Sequence, residues 1–312
     1  MSMTRRSGVA LTAAIALLGA LPSTLGAPEP VWAKSERKPL FEFGVVADAQ
    51  YCDCETKGPR HYRLSLAKLA EAAETFNQRD LAFTIQLGDI IDRDLASFSE
   101  ILPVYEQVEG TRYHVLGNHD FPVTTEEIVE ILDMPNQYYD FSLTGWRFVV
   151  LDTNDISVYA NPDGSPKDRQ GETVREVLSW TGDVNAHPWN GGVGSEQMTW
   201  LEGVLDDAEL KDERVVVFAH MPVFPLNEHN AWNDDALLDL LEPHDSVVAY
   251  FNGHNHAGNF GEQDGIYHVS FQGMVNLTSN AYATVRVYPD RLQIDGYGRE
   301  PDRTLRIRRD SQ

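Results

Sequence analysis

The strongest chemical signal in the chain is the tetrapeptide Gly253-His254-Asn255-His256. It follows an apolar run at residues 246–251 that is typical of a buried strand. Because side chains alternate along a strand, two imidazoles one residue apart can face one point only after the chain has left the strand. We therefore expect His254 and His256 on a loop past the strand end, where open α/β sheets carry their sites. Two imidazoles alone do not complete a metal site.

Polar residues that suit a metal site also follow four other predicted strands. They are Asp48 and Gln50 after 41–47, Asp89 after 81–87, Asn118 and His119 after 113–116, and His220 after 214–219. Taken singly, each of them could cap a turn or form an ordinary structural hydrogen bond. Five such coincidences in chain order indicate instead one site that is built from the ends of five strands.

The residue types define the chemistry of this site. Carboxylate, amide and imidazole ligands together suit borderline-hard divalent ions such as Mn²⁺, Fe²⁺ or Zn²⁺. One carboxylate can bridge two ions with its two oxygens, and Asp89 is the candidate for this bridge. Two ions roughly 3.5–4 Å apart would lower the pKa of a shared water and hold both sides of an in-line displacement at phosphorus. The pattern therefore predicts a dinuclear metal centre for phosphoryl chemistry.

Five motifs in this order resemble those of the calcineurin-like metallophosphoesterases. They are Asp-x-Gln at 48–50, Gly-Asp-x-x-Asp at 88–92, Gly-Asn-His-Asp at 117–120, His-x-Pro at 220–222 and Gly-His-x-His at 253–256. The resemblance implies an α/β (α+β) fold, a four-layer αββα sandwich with two metals at the edge of its sheets. Gln50, where histidine is commoner, resembles the manganese-dependent ADP-ribose/CDP-alcohol diphosphatase branch. Asp92 lies where purple acid phosphatases have a metal-binding tyrosine, which argues against that branch.

The resemblance also implies a role for each motif residue. The first metal would be held by Asp48, Gln50, Asp89 and His256, and the second by Asp89, Asn118, His220 and His254. His119 would stabilise the transition state or protonate the leaving group. Arg60 and Arg63 are candidates to bind a diphosphate because guanidinium fits its geometry, with pairing to surface carboxylates as an equal alternative.

The function expected from these roles is hydrolysis of the phosphoanhydride of nucleoside diphosphate derivatives such as ADP-ribose and CDP-alcohols. A metal-bridging hydroxide would attack phosphorus, and His119 would assist departure of the other phosphate. One alternative is a phosphodiesterase or phosphomonoesterase, for example on cyclic nucleotides, with the same metal centre. A second alternative is a secreted metal- or nucleotide-binding protein without turnover.

The composition narrows the range of partners. The chain has 312 residues and a formal net charge of −23, so it repels nucleic acid and anionic membrane surfaces. We expect a small-molecule nucleotide substrate, no nucleic acid partner, and a monomer. Cys52 and Cys54 are too few for a disulfide framework, and bridging residues so close in sequence strains the backbone, although the two thiols could oxidise together.

The N-terminal segment predicts export. Two arginines precede an apolar run at residues 9–21 that is too short to span a bilayer comfortably. Small residues near the end of this segment predict cleavage after Ala33 or Ala27, so residues 1–33 are expected to be a signal peptide. An uncleaved membrane anchor is the alternative. Residues 34–312 are then expected to form a single metallophosphoesterase domain that is exported, either periplasmic or secreted, with no stable membrane association.

The remaining elements are predicted from hydrophobic periodicity. Helices are expected at about 65–76, 124–132, 195–205 and 234–241. Short alternating runs at 266–271, 283–287 and 292–297 predict an antiparallel extension of the sheet. Residues 155–194 contain no clear periodicity and are expected to be an irregular tract, which at this length is often functional.

Overall fold

Two six-stranded sheets lie at the centre of the computed structural model, which describes residues 38–307. The strands are β1 Phe41–Val46, β2 Phe83–Gln86, β3 Arg112–His114, β4 Tyr139–Leu143, β5 Trp146–Val150, β6 Arg214–Phe218, β7 Val247–Asn252, β8 Asn259–Gln263, β9 Ile266–Ser270, β10 Ala281–Tyr288, β11 Arg291–Gly298 and β12 Arg303–Arg306. The helices are α1 Ser65–Asn77, α2 Phe98–Tyr105, α3 Thr125–Ile131, α4 Pro166–Thr181, α5 Ser195–Leu210 and α6 Asp234–Leu241.

Each sheet contains a group of neighbouring parallel strands together with antiparallel strands. The first sheet has the order β12-β11-β10-β1-β2-β3, in which β1, β2 and β3 are parallel. The second has the order β4-β5-β6-β7-β9-β8, in which β5, β6, β7 and β9 are parallel. Parallel neighbours end at the same edge of a sheet, so the residues after β1, β2 and β3 share one edge, and those after β6 and β7 share another.

A cluster of phenylalanines joins the two sheets. Phe83 of the first sheet lies 5.0 Å, centroid to centroid, from Phe148 of the second, and Phe43 lies 5.7 Å from the same ring. Phe218 stacks on Phe148 at 5.8 Å. These aromatic contacts hold the sheets face to face, because each ring removes a large apolar area from water.

Alternation along β5 shows how the layers are ordered. Phe148 and Val150 belong to the cluster between the sheets, whereas Val149 faces the opposite way and packs with α5 and α6. On the first sheet, Gly44 alternates with the inward-facing phenylalanine of β1, and its Cα lies against Phe76 of α1. The layers are therefore helix, sheet, sheet and helix, and the predicted four-layer αββα sandwich is confirmed.

The structure corrects the predicted strand arrangement. Residues 266–271 were expected to be antiparallel, but β9 runs parallel to β7, because β8 precedes it as a hairpin partner and turns the chain back. The strands expected at 283–287 and 292–297 are antiparallel, but they extend the first sheet beside β1. The strands that periodicity did not predict, β4, β8 and β12, are all edge strands with partly exposed polar residues.

The prediction that residues 155–194 form an irregular tract is also partly wrong, because these residues contain α4. Gly171 is the buried residue of this helix, so α4 presents no apolar stripe for periodicity to detect. The helices α1, α3, α5 and α6 are confirmed, including the predicted capping box of Thr124 and Glu127 at the start of α3. Periodicity also missed α2, which contains Pro103.

The expected signal peptide, and both of its cleavage positions, lie outside the described residues. Within residues 38–307, none of the helices has the length and apolar character needed to cross a membrane.

The aromatic contact between the sheets predicts a large effect on stability. Phe148→Ala should lower the free energy of unfolding by about 3–5 kcal/mol, because the cavity left between two sheets cannot collapse. Val177→Ala on the exposed face of α4 is the control, with an expected change of less than about 0.5 kcal/mol. Urea unfolding of the metal-free protein measures both variants. Equal effects of the two substitutions would contradict this view of the core.

Candidate metal centre and active site

The residues predicted to bind metal meet where strands of both sheets end. Three strands of the first sheet and two of the second contribute, and every side chain is at most 9% exposed. The contributing residues are Asp48 and Gln50 after β1, Asp89 after β2, Asn118 after β3, His220 after β6, and His254 and His256 after β7. The sandwich thus delivers seven polar side chains from distant parts of the chain to one buried place.

These side chains form two clusters that share one carboxylate. One ligand atom each from Asp89, His220 and His254 lie within 4.8 Å of one another, and the same holds for Asp48, Asp89 and His256. The amide side chains complete this picture. Asn118 Oδ1 lies 3.1 Å from His220 Nε2, and the oxygen and nitrogen of the buried Gln50 amide have no hydrogen-bond partner within residues 38–307. Asp89 is therefore the residue common to both clusters, and it is the residue that the sequence predicts as a bridging carboxylate.

Each imidazole is oriented by an oxygen on its far side. The contacts are His220 Nδ1 to Leu87 O at 2.8 Å, His254 Nε2 to Asn190 Oδ1 at 2.8 Å and His256 Nδ1 to Asn276 Oδ1 at 3.2 Å. Because these oxygens accept hydrogen bonds, the far nitrogen of each ring carries the proton. The near nitrogens then face the carboxylates, which is the orientation of metal-binding histidines.

The electrostatics of the site favour a bound cation. His220 Nε2 lies 3.1 Å from His254 Nδ1 and 3.4 Å from Asp89 Oδ1, so two ring nitrogens and a carboxylate oxygen converge. Burial alone would lower the pKa of His220, but the facing Asp89 carboxylate raises it to about 9. Burial alone would raise the pKa of Asp89, but the imidazoles of His220 and His119 bring it well below its ordinary value. The donor set and the partnerless Gln50 amide therefore fit divalent metal ions.

The backbone at the site is strained. Asp48, Gln50, Asp89 and His254 all have positive φ angles, of 49°, 43°, 53° and 66°. Non-glycine residues adopt this left-handed conformation at a cost of about 1–3 kcal/mol each, and such strain concentrates at functional sites. The neighbouring Gly253 is needed for close approach, because a Cβ there would lie 2.7 Å from Asp48 Oδ2.

His119 lies beside the two clusters and is held from two sides. Its backbone N–H donates to Asp89 Oδ1 at 2.7 Å, and its ring Nδ1 contacts Asp92 Oδ1. Since Nδ1 is engaged by the carboxylate, Nε2 remains for the cavity that His119 lines. Cys52 and Cys54 form a disulfide in spite of their closeness in sequence, and Cys52 Sγ lies 3.9 Å from Asp92 Oδ2.

Asp120 is the last residue of the Gly-Asn-His-Asp motif, and sequence reasoning gave it no role. Its buried carboxylate accepts backbone N–H groups from both loops that carry the bridging region. These donors are Asp89 and Gly117 at 2.9 Å, Ile90 at 2.9 Å and Ile91 at 3.3 Å. A carboxylate that accepts four amides fixes the positions of the loops after β2 and β3 relative to each other.

A cavity of about 330 Å³ opens above the clusters. Its lining residues are Arg60, Asp89, Arg93, Asn118, His119, Trp189, His229, His254 and His256. Three of them, Arg93, Trp189 and His229, were not predicted, although Arg93 directly follows the Gly-Asp-x-x-Asp motif at 88–92. Trp189 immediately precedes Asn190, whose amide orients His254, and this adjacency is the one signal that could have identified it.

The structure separates the two arginines proposed for substrate binding. Arg60 lines the cavity, whereas Arg63 is engaged on the surface by Asp53 and Glu55. Of the two alternatives considered for Arg63, the structure favours pairing with surface carboxylates.

Comparison with known proteins agrees with this geometry. The model of the calcineurin-like phosphoesterase family matches residues 42–258. A manganese-dependent ADP-ribose/CDP-alcohol diphosphatase of Arabidopsis thaliana is 34% identical over 298 residues, covering 84% of this chain and 96% of that protein. The Homo sapiens protein of the same name is 31% identical and covers 91% of this chain and 97% of its own length.

Solved structures point to the same fold. A dimetal phosphatase from Danio rerio superposes with a TM-score of 0.80 at 28% identity, covering 87% of this chain and all of that one. GAP50 of Plasmodium, at 15% identity and a TM-score of 0.60, shares the fold. With the family model covering most of the chain and relatives above 30% identity matched along nearly their whole length, the chain belongs to the calcineurin-like phosphoesterase family.

Proposed function

We propose that this metal-dependent hydrolase cleaves the phosphoanhydride of nucleoside diphosphate derivatives such as ADP-ribose and CDP-alcohols. The products would be a nucleoside monophosphate and a phosphorylated sugar or alcohol. The observation that carries the proposal is the pair of donor clusters sharing Asp89 beneath a cavity lined by two arginines and an indole. The names of the relatives at 31% and 34% identity support this substrate class.

Two divalent ions would be held by the two clusters, and we infer that they are Mn²⁺. The first position would use Asp48, Gln50, Asp89 and His256, and the second Asp89, Asn118, His220 and His254. When bound, such ions neutralise the negative charge of phosphate oxygens. They also lower the pKa of a bound water, so that hydroxide is available to attack phosphorus near neutral pH. The carboxylate and amide oxygens suit Mn²⁺, which the relatives' name includes, while the imidazoles would also accept Fe²⁺ or Zn²⁺.

His119 would protonate the departing phosphate. Asp92 Oδ1 contacts Nδ1, so Nε2 is the ring nitrogen that would transfer a proton in the cavity. The Asp89 carboxylate also orients the backbone of His119, so the general acid is fixed relative to the bridging position. This arrangement would hold the His119 ring at a fixed position beside the bound phosphate.

The remaining cavity residues suit a nucleoside diphosphate. Arg60 and Arg93 supply positive charge in a chain that is otherwise strongly acidic, and guanidinium binds paired phosphate oxygens well. The Trp189 indole is stacked against His187 at 4.0 Å with an 8° angle between the rings, which holds it in the cavity wall. We infer that it contacts the base of the substrate.

Product analysis with added Mn²⁺ tests the proposed substrate class. We expect ADP-ribose to give AMP and ribose 5-phosphate, and CDP-choline to give CMP and phosphocholine, without free phosphate. Trp189→Ala should raise KM for ADP-ribose by about 10-fold, the value of a lost aromatic contact, and should leave KM for bis(p-nitrophenyl) phosphate unchanged. Preferred hydrolysis of cyclic nucleotides, or release of free phosphate from AMP, would instead support the alternative phosphodiesterase or phosphomonoesterase.

Two substitutions separate metal binding from proton transfer. Asp89→Asn should abolish metal loading and turnover together, because the shared carboxylate is lost from both clusters. His119→Ala should retain two metal ions but lower kcat by about 10²–10⁴-fold, the usual contribution of a general acid. Metal content by mass spectrometry and kcat are measured on the same preparations. Full turnover of His119→Ala would remove the proposed role of this residue.

We also propose that residues 1–33 are a signal peptide and that the mature domain, 34–312, acts outside the cytoplasm as a monomer. The proposal is supported by the apolar run at 9–21 followed by small residues. N-terminal sequencing of the protein from the extracytoplasmic fraction should find residue 34 or residue 28 at the terminus, and light scattering should give the monomer mass. A full-length chain retained in the membrane fraction would support an uncleaved anchor instead.

A further inference from the structure

A buried lysine outside the cavity is not used by the proposed mechanism. Lys68 lies on α1 and is 5% exposed. Its ammonium donates to three backbone carbonyls of one loop: Met274 O at 2.7 Å, Asn276 O at 3.2 Å and Leu277 O at 2.6 Å. Burying an ammonium group costs free energy unless hydrogen bonds replace those that it made with water. The loop carbonyls therefore stabilise the buried charge of Lys68, and the ammonium in turn fixes the position of the loop.

A second cation binds the same loop, which we define as residues 272–279. Arg299 donates to Gly273 O at 2.8 Å and to Ser279 O at 3.3 Å. Burial, together with the charge of Arg299, lowers the pKa of Lys68 to about 8. Two like charges are thus placed near each other against one loop, where both donate to backbone carbonyls.

The opposite side of the 272–279 loop contacts the first metal position. The N–H of Val275 donates to Asp48 O at 2.9 Å, and the N–H of Gly273 donates to His256 O at 3.1 Å. Asn276 Oδ1 accepts from His256 Nδ1 at 3.2 Å, which leaves His256 Nε2 facing Asp48 Oδ1 at 3.4 Å. The loop therefore positions the backbone of Asp48 and sets the tautomer of His256.

The loop also extends to the substrate side of the cavity. Asn276 forms a β-bridge with Arg60, and the N–H of Leu277 donates to Pro59 O at 2.7 Å. Leu277 has a φ of 56°, a strained conformation for a branched residue, and it is held from both sides by Pro59 O and the Lys68 ammonium. Without the ammonium, the loop would lose the contact that opposes this strain.

We propose that Lys68 and Asn276 are positioning residues for the first metal position, acting through the 272–279 loop. This inference rests on the proposed metal assignment. The second position should be insensitive to them, because its imidazoles have separate supports: Leu87 O orients His220, and the Asn190 amide orients His254. Loss of an outer hydrogen-bonding partner of this kind weakens metal binding by about 10–100-fold.

The test is calorimetric titration of the metal-free full chain with Mn²⁺ alone. The wild type should bind two ions. Lys68→Met, which keeps the length of the side chain but removes its donors, should weaken one of the two binding events by about 10–100-fold and leave the other unchanged. Lys211→Met is the matched control, since Lys211 is exposed and pairs only with Asp207 among the residues described. Its two binding events should match the wild type.

Asn276 supplies a second, independent pair of variants. Asn276→Leu removes the acceptor for His256 Nδ1 and should reproduce the loss at one position, whereas Asn276→Asp keeps an acceptor and should retain both affinities. This pair decides the question if Lys68→Met does not fold. In both weakened variants, excess Mn²⁺ should restore kcat, because the catalytic residues themselves are intact.

The outcomes separate this inference from the proposed function. Equal weakening of both binding events, or unchanged Mn²⁺ affinity with only a lower unfolding temperature, would overturn the positioning role. If the wild type binds two Mn²⁺ ions and the variants behave as expected, but nucleoside diphosphate derivatives are not hydrolysed, the positioning role stands and the proposed substrate class fails.

Discussion

The carboxylate of Asp89 belongs to both groups of candidate metal-binding side chains. The fold must therefore hold this carboxylate at the point where the two groups meet. A shared carboxylate must lie where the two sheets meet, close to histidines that follow strands distant in sequence. Asp120 fixes the loop that carries it by accepting four backbone amides. The phenylalanines between the sheets maintain the distance across the junction.

Several features of the site are unfavourable for the stability of the metal-free protein. Four of its residues have left-handed backbone conformations, two imidazole nitrogens face each other, and the buried Gln50 amide has no hydrogen-bond partner in the part of the chain that the structure describes. Each feature would destabilise a protein with no cation to bind. These ring nitrogens and carboxylates would be the ligands of a pair of divalent ions, so the same features that cost free energy in the metal-free chain would become the source of affinity.

Much of the site could be predicted from the sequence because each predicted strand ends at a polar residue. Apolar runs give the strand ends, and parallel strands bring their carboxyl ends together, so Asp48, Asp89, Asn118, His220 and His254 could be placed before their distances were known. Periodicity could not detect α4, which buries only Gly171, or the polar edge strands. It also could not show that Trp189 and His229 reach the cavity, since loops whose paths depend on tertiary packing bring them there.

Anomalous diffraction at the manganese edge from crystals of the Mn²⁺-loaded protein tests the central claim most directly. The account predicts two peaks, with Asp89 as a ligand of both, His256 at one of them, and His220 and His254 at the other. A single peak, or two peaks that do not share Asp89, would contradict it.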